Sequence, residues 1–299
     1  MAYVRVTIPA AALNLGPGID CLGLALALHN TVEMSLRSDD EQRITVAGAS
    51  ELAGEMVLRG VEMIMHLINR PLPGLDIYCQ ASIPSRCGLG DDEAWLIGGL
   101  MAINNLLGAP LHREKIAEIA VKLTSVPTAA ITELMGGLTV INPASTVGGE
   151  LLYRRLEITS MKVVLVVPEV ANYRAKASEL ALRVANSDYK TNISNAILVA
   201  EAMRKGDYKL LSRAMVDPIL MTPRLAFIPG GDAAILAAKS VGAAAVTISG
   251  DGPTLVMFAP ANHEQIAAVA DETFRRTGVA CRTWIVGVDT QGVAISLRG

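Results

Sequence analysis

Ile83-Pro-Ser-Arg-Cys-Gly-Leu-Gly-Asp-Asp-Glu-Ala-Trp95 joins a strand-like segment to an apolar helical run, and its two glycines decide how the rest of the chain is read. Gly88 and Gly90, flanking Leu89, tolerate positive φ and let a ligand approach the backbone, while the free N–H groups opening the next helix favour negative charge. That form suits a phosphate cradle. Asp91, Asp92 and Glu93, however, put three carboxylates where a bound phosphate would sit. A carboxylate about 4 Å from a phosphate oxygen repels it by roughly 1 kcal/mol in water and about 4 kcal/mol at an intermediate effective dielectric. Architecture and side chains disagree.

Outward from this loop, residues 75 to 83 alternate like a strand entering it, and Ala94 to Leu107 reads as a helix apolar on nearly every side, hence buried. Upstream, Val4, Val6 and Ile8 alternate with polar residues in a strand expected to stop at Pro9. The turn Asn14-Leu-Gly-Pro-Gly-Ile-Asp20 follows, then strands near 31 to 36 and 42 to 47 and a helix over 52 to 68. Downstream, helical spacing covers 112 to 124 and a strand covers 137 to 142. The pattern restarts with a strong strand, Met161 to Val167, so a domain boundary is placed near residue 158, dividing 1–158 from 159–299. Helices are expected at 173 to 184, 190 to 216, 232 to 240 and 262 to 276. Between the last two lies a strand, the turn Ser249-Gly250-Asp251-Gly252-Pro253 and another strand, and two strands close the chain.

Composition narrows the function. The 299 residues suit two packed domains, and 51% hydrophobic with 18% charged residues describes a globular chain. A net charge of −3 and 4% aromatic residues give neither a basic stripe nor stacking platforms, so nucleic acid is not expected as a partner. Cys21, Cys79, Cys87 and Cys281 are scattered, as in a cytoplasmic protein with reduced thiols, and no apolar run is long enough to span a membrane. His29, His66, His112 and His263 stand alone, and no serine-hydrolase elbow or zinc-helix motif is found.

Three glycine turns, near 16, 88 and 250, lie far apart in the chain. Singly each is weak, but in this order and spacing they resemble the GHMP small-molecule kinases, most nearly the homoserine kinases. Pro9 to Leu26 is similar to that family's first motif, Pro84 to Ala94 occupies its phosphate-loop position, and Val246 to Leu255 is similar to its third. The resemblance implies an α+β, two-domain fold: a ribosomal-protein-like N-terminal domain and a ferredoxin-like C-terminal domain. ATP and a small-molecule amino alcohol would meet between them, Gly88, Leu89, Gly90, Ser249 and Gly250 lying on the nucleotide side. It implies that Asn14 and Asp20 lie near the acceptor, Asp20 facing an ammonium group, and that Arg224 grips its carboxylate, as a guanidinium fork is suited to do. A homodimer is the oligomeric form to consider.

The departures touch phosphate, metal and substrate. The family's loop reads Gly-Leu-Gly-Ser-Ser-Ala where this one reads Gly88-Leu-Gly-Asp-Asp-Glu93, and its Glu-Gly-His-Pro-Asp-Asn stretch, which supplies a magnesium carboxylate, is represented by Thr124-Ser-Val-Pro-Thr-Ala129. Glu55 stands for an asparagine near the nucleotide, and Asn195 for an arginine. Three readings stay open. In the first, Asp91 or Asp92 ligates Mg2+ and the chain transfers the ATP γ-phosphoryl group to the hydroxyl of homoserine or a similar amino alcohol. In the second, Asp91, Asp92 and Glu93 serve a repurposed, non-kinase active site as acid, base or cation ligands. In the third, the acids cap their helix in a non-catalytic, ligand-binding relative.

Overall fold

The computed structural model describes residues 3–143, 150–180 and 184–298. The chain opens with β1 (Tyr3–Leu15) and β2 (Gly18–Leu36), a long antiparallel hairpin turning at Gly16-Pro17. β1 was expected to end at Pro9 but runs six residues further. Proline has no N–H for the ladder, and the register shifts between Pro9 and Ala10, so an irregularity absorbs the missing bond instead of ending the strand. The extension carries Asn14 to the top of the sheet.

β3 (Gln42–Ala47), helix α1 (Leu52–Leu67) and β4 (Leu75–Gln80) follow as expected. Next comes α2 (Asp91–Leu106), which begins at Asp91, three residues before the expected start, so all three acids lie in its first turn. α2 is buried along nearly its whole length, against β1, β2 and α1. Its approach to α1 needs glycine: a Cβ on Gly99 would come within 2.0 Å of the Val57 carbonyl oxygen, and one on Gly60 within 2.6 Å of that of Leu96. Each buried Leu or Ile side chain in this contact is worth about 1.5–3 kcal/mol, which fixes the helix and therefore its N-terminus.

α3 (Arg113–Leu123) leads to α4 (Pro127–Met135), a short buried helix that the periodicity does not reveal, and β5 (Leu138–Ile141) and β6 (Tyr153–Leu156) complete this half. The second half begins with β7 (Lys162–Pro168) and α5 (Tyr173–Ser178). α5 ends earlier than the expected 184, and residues 181–183 of that expectation lie outside the described residues. The single helix expected over 190 to 216 is two, α6 (Asn186–Lys205) and α7 (Tyr208–Ala214). Gly206 at φ +65° ends the first, and the Asp207 carboxylate accepts the Leu210 N–H at 2.9 Å to start the second.

α8 (Met221–Leu225), α9 (Gly231–Ser240), β8 (Ala245–Ile248), β9 (Leu255–Phe258), α10 (His263–Arg276), β10 (Cys281–Gly287) and β11 (Ala294–Arg298) finish the fold. Among the described residues, β11-β1-β2-β4-β3 run in order in one sheet, with β5 and β6 attached through β2, and β10-β7-β9-β8 form the other. The boundary proposed near residue 158 falls between β6 and β7. β11 returns across it to pair with β1, Val6 opposite Ile295, tying the end of the chain to its beginning.

Candidate active site

The three glycine turns meet at one place, where the end of β1, the loop before α2 and the turn between β8 and β9 are hydrogen-bonded to one another. The Ser249 hydroxyl accepts the Leu13 N–H at 3.0 Å and donates to the Gly88 carbonyl at 2.6 Å, and the Gly250 N–H donates to the Leu13 carbonyl at 2.9 Å. The Asn14 amide donates to the Gly250 carbonyl at 3.3 Å, and the Thr254 hydroxyl to that of Cys87 at 2.7 Å. Ser249 is fully buried, so it is a staple between the first and second motifs. Leu89 packs its side chain into the core while its carbonyl accepts the Ala11 N–H. Gly88 and Gly90 sit at φ +83° and +77°. What their missing side chains admit is protein: a Cβ on Gly88 would lie 2.2 Å from the Ser249 carbonyl oxygen, and one on Gly90 2.0 Å from Oε1 of Glu133.

Above these turns opens a cavity of about 420 Å3, walled by Asn14, Asp20, Gly88, Gly90, Gly250 and the acids Asp91, Asp92 and Glu93. The three acids have different situations. Asp91 turns back into its own loop, accepting the Ser85 hydroxyl at 2.8 Å and the Arg86 N–H at 3.0 Å. Glu93 crosses to the turn before α4, where the Thr124 hydroxyl donates to it at 2.5 Å and in turn accepts the Val126 N–H at 2.9 Å. Asp92 is half-buried at the cavity wall and makes no side-chain hydrogen bond among the described residues. Burial pushes the Asp91 carboxyl up, with the charge of Asp92 adding to it, and burial likewise raises Glu93 despite its bond to Thr124.

Behind Gly90 lies Glu133, from α4, fully buried and with no hydrogen-bond partner on either carboxyl oxygen. Burial, followed by the charges of Glu93, Asp91 and Asp92, holds it well above the usual carboxylate range. A carboxyl in that setting is kept as the neutral acid. Among the described residues no group of three or more His, Cys, Asp or Glu side chains is arranged to hold a metal ion.

Asn14 and Asp20 both sit at positive φ in the first turn, locked together by the Asn14 side chain accepting the Asp20 N–H at 2.7 Å. Asp20 stands at the cavity mouth; burial of its carboxyl and then the neighbouring Asp251 raise its pKa, against the opposing Arg224. Arg224 lies outside the main cavity wall, in a small adjoining pocket. Its guanidinium is spent within the protein, donating to the Gly250 carbonyl at 2.5 Å and to Asp251 at 2.7 Å, with Nε buried and unpartnered.

Sequence reading did not single out Glu133, Arg86, Arg174 or Asp251. Glu133 had a signal, a lone acid inside Ala129-Ala-Ile-Thr-Glu-Leu-Met135, and Asp251 sat within the quoted third turn. Arg174 had none, because only the packing of α5 beside the loop brings it to the cavity. Trp95 is 3% exposed and packs in the core.

The pattern described as GHMP kinases N terminal domain matches residues 55–136, and that described as GHMP kinases C terminal matches 199–276. The homoserine kinase of Moorella thermoacetica is 32% identical over 286 residues, covering 94% of this chain and 95% of that one. The homoserine kinase of Desulfitobacterium hafniense is 28% identical over 300 residues, covering 98% and 99%. The crystal structure of homoserine kinase from Cytophaga hutchinsonii shares the fold with a TM-score of 0.87 at 22% identity, over 98% of this chain and 97% of that one. The mevalonate kinase of Methanococcus jannaschii shares it at 0.68 and 16% identity, over 95% and 98%. With its two-domain fold, its three stitched glycine turns and full-length relatives among the homoserine kinases, the chain belongs to the GHMP kinase family.

Proposed function

We propose that the protein is a homoserine-kinase-like phosphotransferase, moving the γ-phosphoryl group of ATP to the hydroxyl of homoserine or a similar small amino alcohol. The observation that carries this is the convergence of all three family motifs on one cavity, in a chain whose full-length relatives are named homoserine kinases. The acids in the loop are less opposed to phosphate than their number suggests. Asp91 and Glu93 are buried, hydrogen-bonded and raised toward the neutral form, which leaves Asp92 as the carboxylate facing the cavity freely.

Mg2+ keeps several waters and is bound through one or two carboxylates besides phosphate oxygens. Asp92 would hold it, with Glu93 beside it. Glu93 points at Thr124, the position where the resemblance puts the family's metal carboxylate, so a carboxyl group reaches that position from the other side of the cleft. When bound, the ion neutralises phosphate charge. Asn14 fixes the first turn, and Asp20 would receive the acceptor's ammonium group. Arg224 would take its carboxylate by exchanging Asp251, which is 60% exposed at its side chain and can leave. Positioning and charge neutralisation carry most of such a transfer, so no dedicated base is required. Four free thiols support placing the chain in the cytoplasm, and no described helix is long and apolar enough to cross a membrane.

The test is phosphoryl transfer from ATP to homoserine and other small amino alcohols, with calorimetry of ATP in magnesium and in chelator. Turnover is expected, with magnesium-dependent ATP binding, and Asp92→Asn should lower activity roughly 10–100-fold. No ATP binding and no turnover on any amino alcohol would overturn the proposal. The raised acids favour a second reading, an acid–base enzyme on the same cavity, to which that result would point.

A further inference from the structure

Asn14, Asp20, Arg224 and Asp251 gather around one backbone atom, the Gly250 carbonyl oxygen. Asn14 donates its amide to that oxygen at 3.3 Å and accepts the Asp20 N–H at 2.7 Å, while Arg224 donates Nη1 to it at 2.5 Å. The turn that supplies the carbonyl therefore sets Asp251, the next residue, against Arg224 and close to Asp20, and both carboxylates line the cavity. Asp251 is near enough that its charge adds to burial in raising the Asp20 carboxyl, with Arg224 opposing. Two carboxylates and one guanidinium thus share the mouth of the cavity, with one negative charge in excess.

The ion pair between Arg224 and Asp251 is incomplete. A guanidinium presents Nε–H and one Nη2 N–H side by side, the two donors that a carboxylate takes with both of its oxygens. Here Asp251 takes Nη2 through Oδ1 alone, at 2.7 Å, and Nε is buried with no partner. The turn holding Asp251 is fixed on either side, by the Gly250 N–H on the Leu13 carbonyl and the Gly252 N–H on that of Ser249. A buried donor without an acceptor is a standing cost, which a carboxylate bringing two free oxygens to that edge would remove. The side chain of Arg224 is 11% exposed and that of Asp251 60%, so the guanidinium stays and the carboxylate is the member that can leave for water.

We propose that Asp251 is a specificity residue of the acceptor site, exchanging partners when a zwitterion binds: the ligand's carboxylate takes the Nε and Nη2 edge of Arg224, and the released Asp251 joins Asp20 on the ligand's ammonium group. This rests on the acceptor site proposed above and adds the role of a residue outside it, together with the class of ligand it selects. One internal ion pair is replaced by two to the ligand, and no covalent bond is made or broken. An amino alcohol without a carboxylate leaves the internal pair closed and meets Asp20 alone. A hydroxy acid without an ammonium group displaces Asp251 and leaves it unpaired near Asp20, like charge against like. Discrimination against both half-ligands comes from the charge each leaves without a partner, and Asp251 supplies the penalty for the hydroxy acid.

The test is calorimetry with three matched alcohols: homoserine, n-propanolamine, which lacks its carboxylate, and γ-hydroxybutyrate, which lacks its ammonium group. The wild type is expected to bind homoserine about tenfold or more tighter than either of the others. Asp251→Asn should tighten γ-hydroxybutyrate about tenfold or more, because the competing carboxylate and its repulsion are gone, and should not tighten n-propanolamine, which never opens the pair. The preference for the zwitterion over the hydroxy acid therefore shrinks. Asp251→Ala should shift it in the same direction, and thermal melts check that both variants are folded. With homoserine binding, γ-hydroxybutyrate held no better by the folded variants than by the wild type overturns the exchange alone. Homoserine that binds neither wild type nor variants overturns the acceptor reading and this proposal with it, so the two failures are told apart.

Discussion

On one side of Arg86 the wall carries Asp91, Glu93 and, behind Gly90, Glu133, all buried, two of them hydrogen-bonded. On the other side, a groove beside the cavity carries Arg174 and Arg282, exposed and without carboxylate partners among the described residues. The two signs of charge are handled differently because their chemistry differs. Carboxyls can be taken out of water by accepting a proton, and all three buried acids are shifted in that direction. Guanidinium groups cannot shed their charge at ordinary pH, so these two stay at the surface, in contact with water. The acid side is part of the packed structure, and the basic side is attached to it.

The strongest challenge to that contrast is Gly90→Ala. The new Cβ would fall 2.0 Å from Glu133 Oε1 at a backbone φ of +77°, and Glu133 is enclosed on all sides. Strain and overpacking together should cost about 3 kcal/mol, read from urea unfolding. A cost below about 1 kcal/mol would show the acid side to be loosely packed and remove its distinction from the basic side.

Glu133→Gln sharpens the same point through pH. The folded protein holds Glu133 well above 4.5, while the unfolded chain ionises it in the ordinary range. Its contribution to stability is therefore complete below about 4.5 and is lost as pH rises toward the folded value, because the unfolded state releases the proton first. Each pH unit across that window removes about 1.4 kcal/mol per such group. Unfolding measured from pH 5 to 8 should show stability falling in the wild type and a shallower fall in Glu133→Gln. An unchanged slope would place the coupled proton on Asp91 or Glu93. The smallest effect is expected on the basic side, where Arg282→Ala should change stability by no more than about 0.5 kcal/mol at any of these pH values. A loss comparable to that of Gly90→Ala would make Arg282 structural and end the comparison.

Much of this architecture was legible in the sequence. Strand alternation at Val4-Val6-Ile8 and the apolar run from Ala94 followed from period and composition, and the three glycine motifs carried the family. What local pattern misread was continuity: β1 passes Pro9 because its neighbour β2 pairs with it as far as Leu15, and the helix expected over 190 to 216 breaks at Gly206. In the site, the sequence placed Asp91, Asp92 and Glu93 together but treated them as equivalent. Their separation into a loop anchor, a free carboxylate and a link to Thr124 depends on partners 5, 6 and 31 residues away.

By itself the sequence determined the elements, the glycine turns and the kinds of charge near the second turn, because these depend on residue type and short-range spacing. Only the tertiary structure decided which charges face one another. Ser249 reaches Leu13 across 236 positions and Gly88 across 161. Glu133 comes to lie under Gly90, and Arg282 comes to share a groove with Arg86. Burial then sets the protonation of the acids, while exposure leaves the arginines charged, and neither burial nor exposure is a property of a residue until the chain has packed around it.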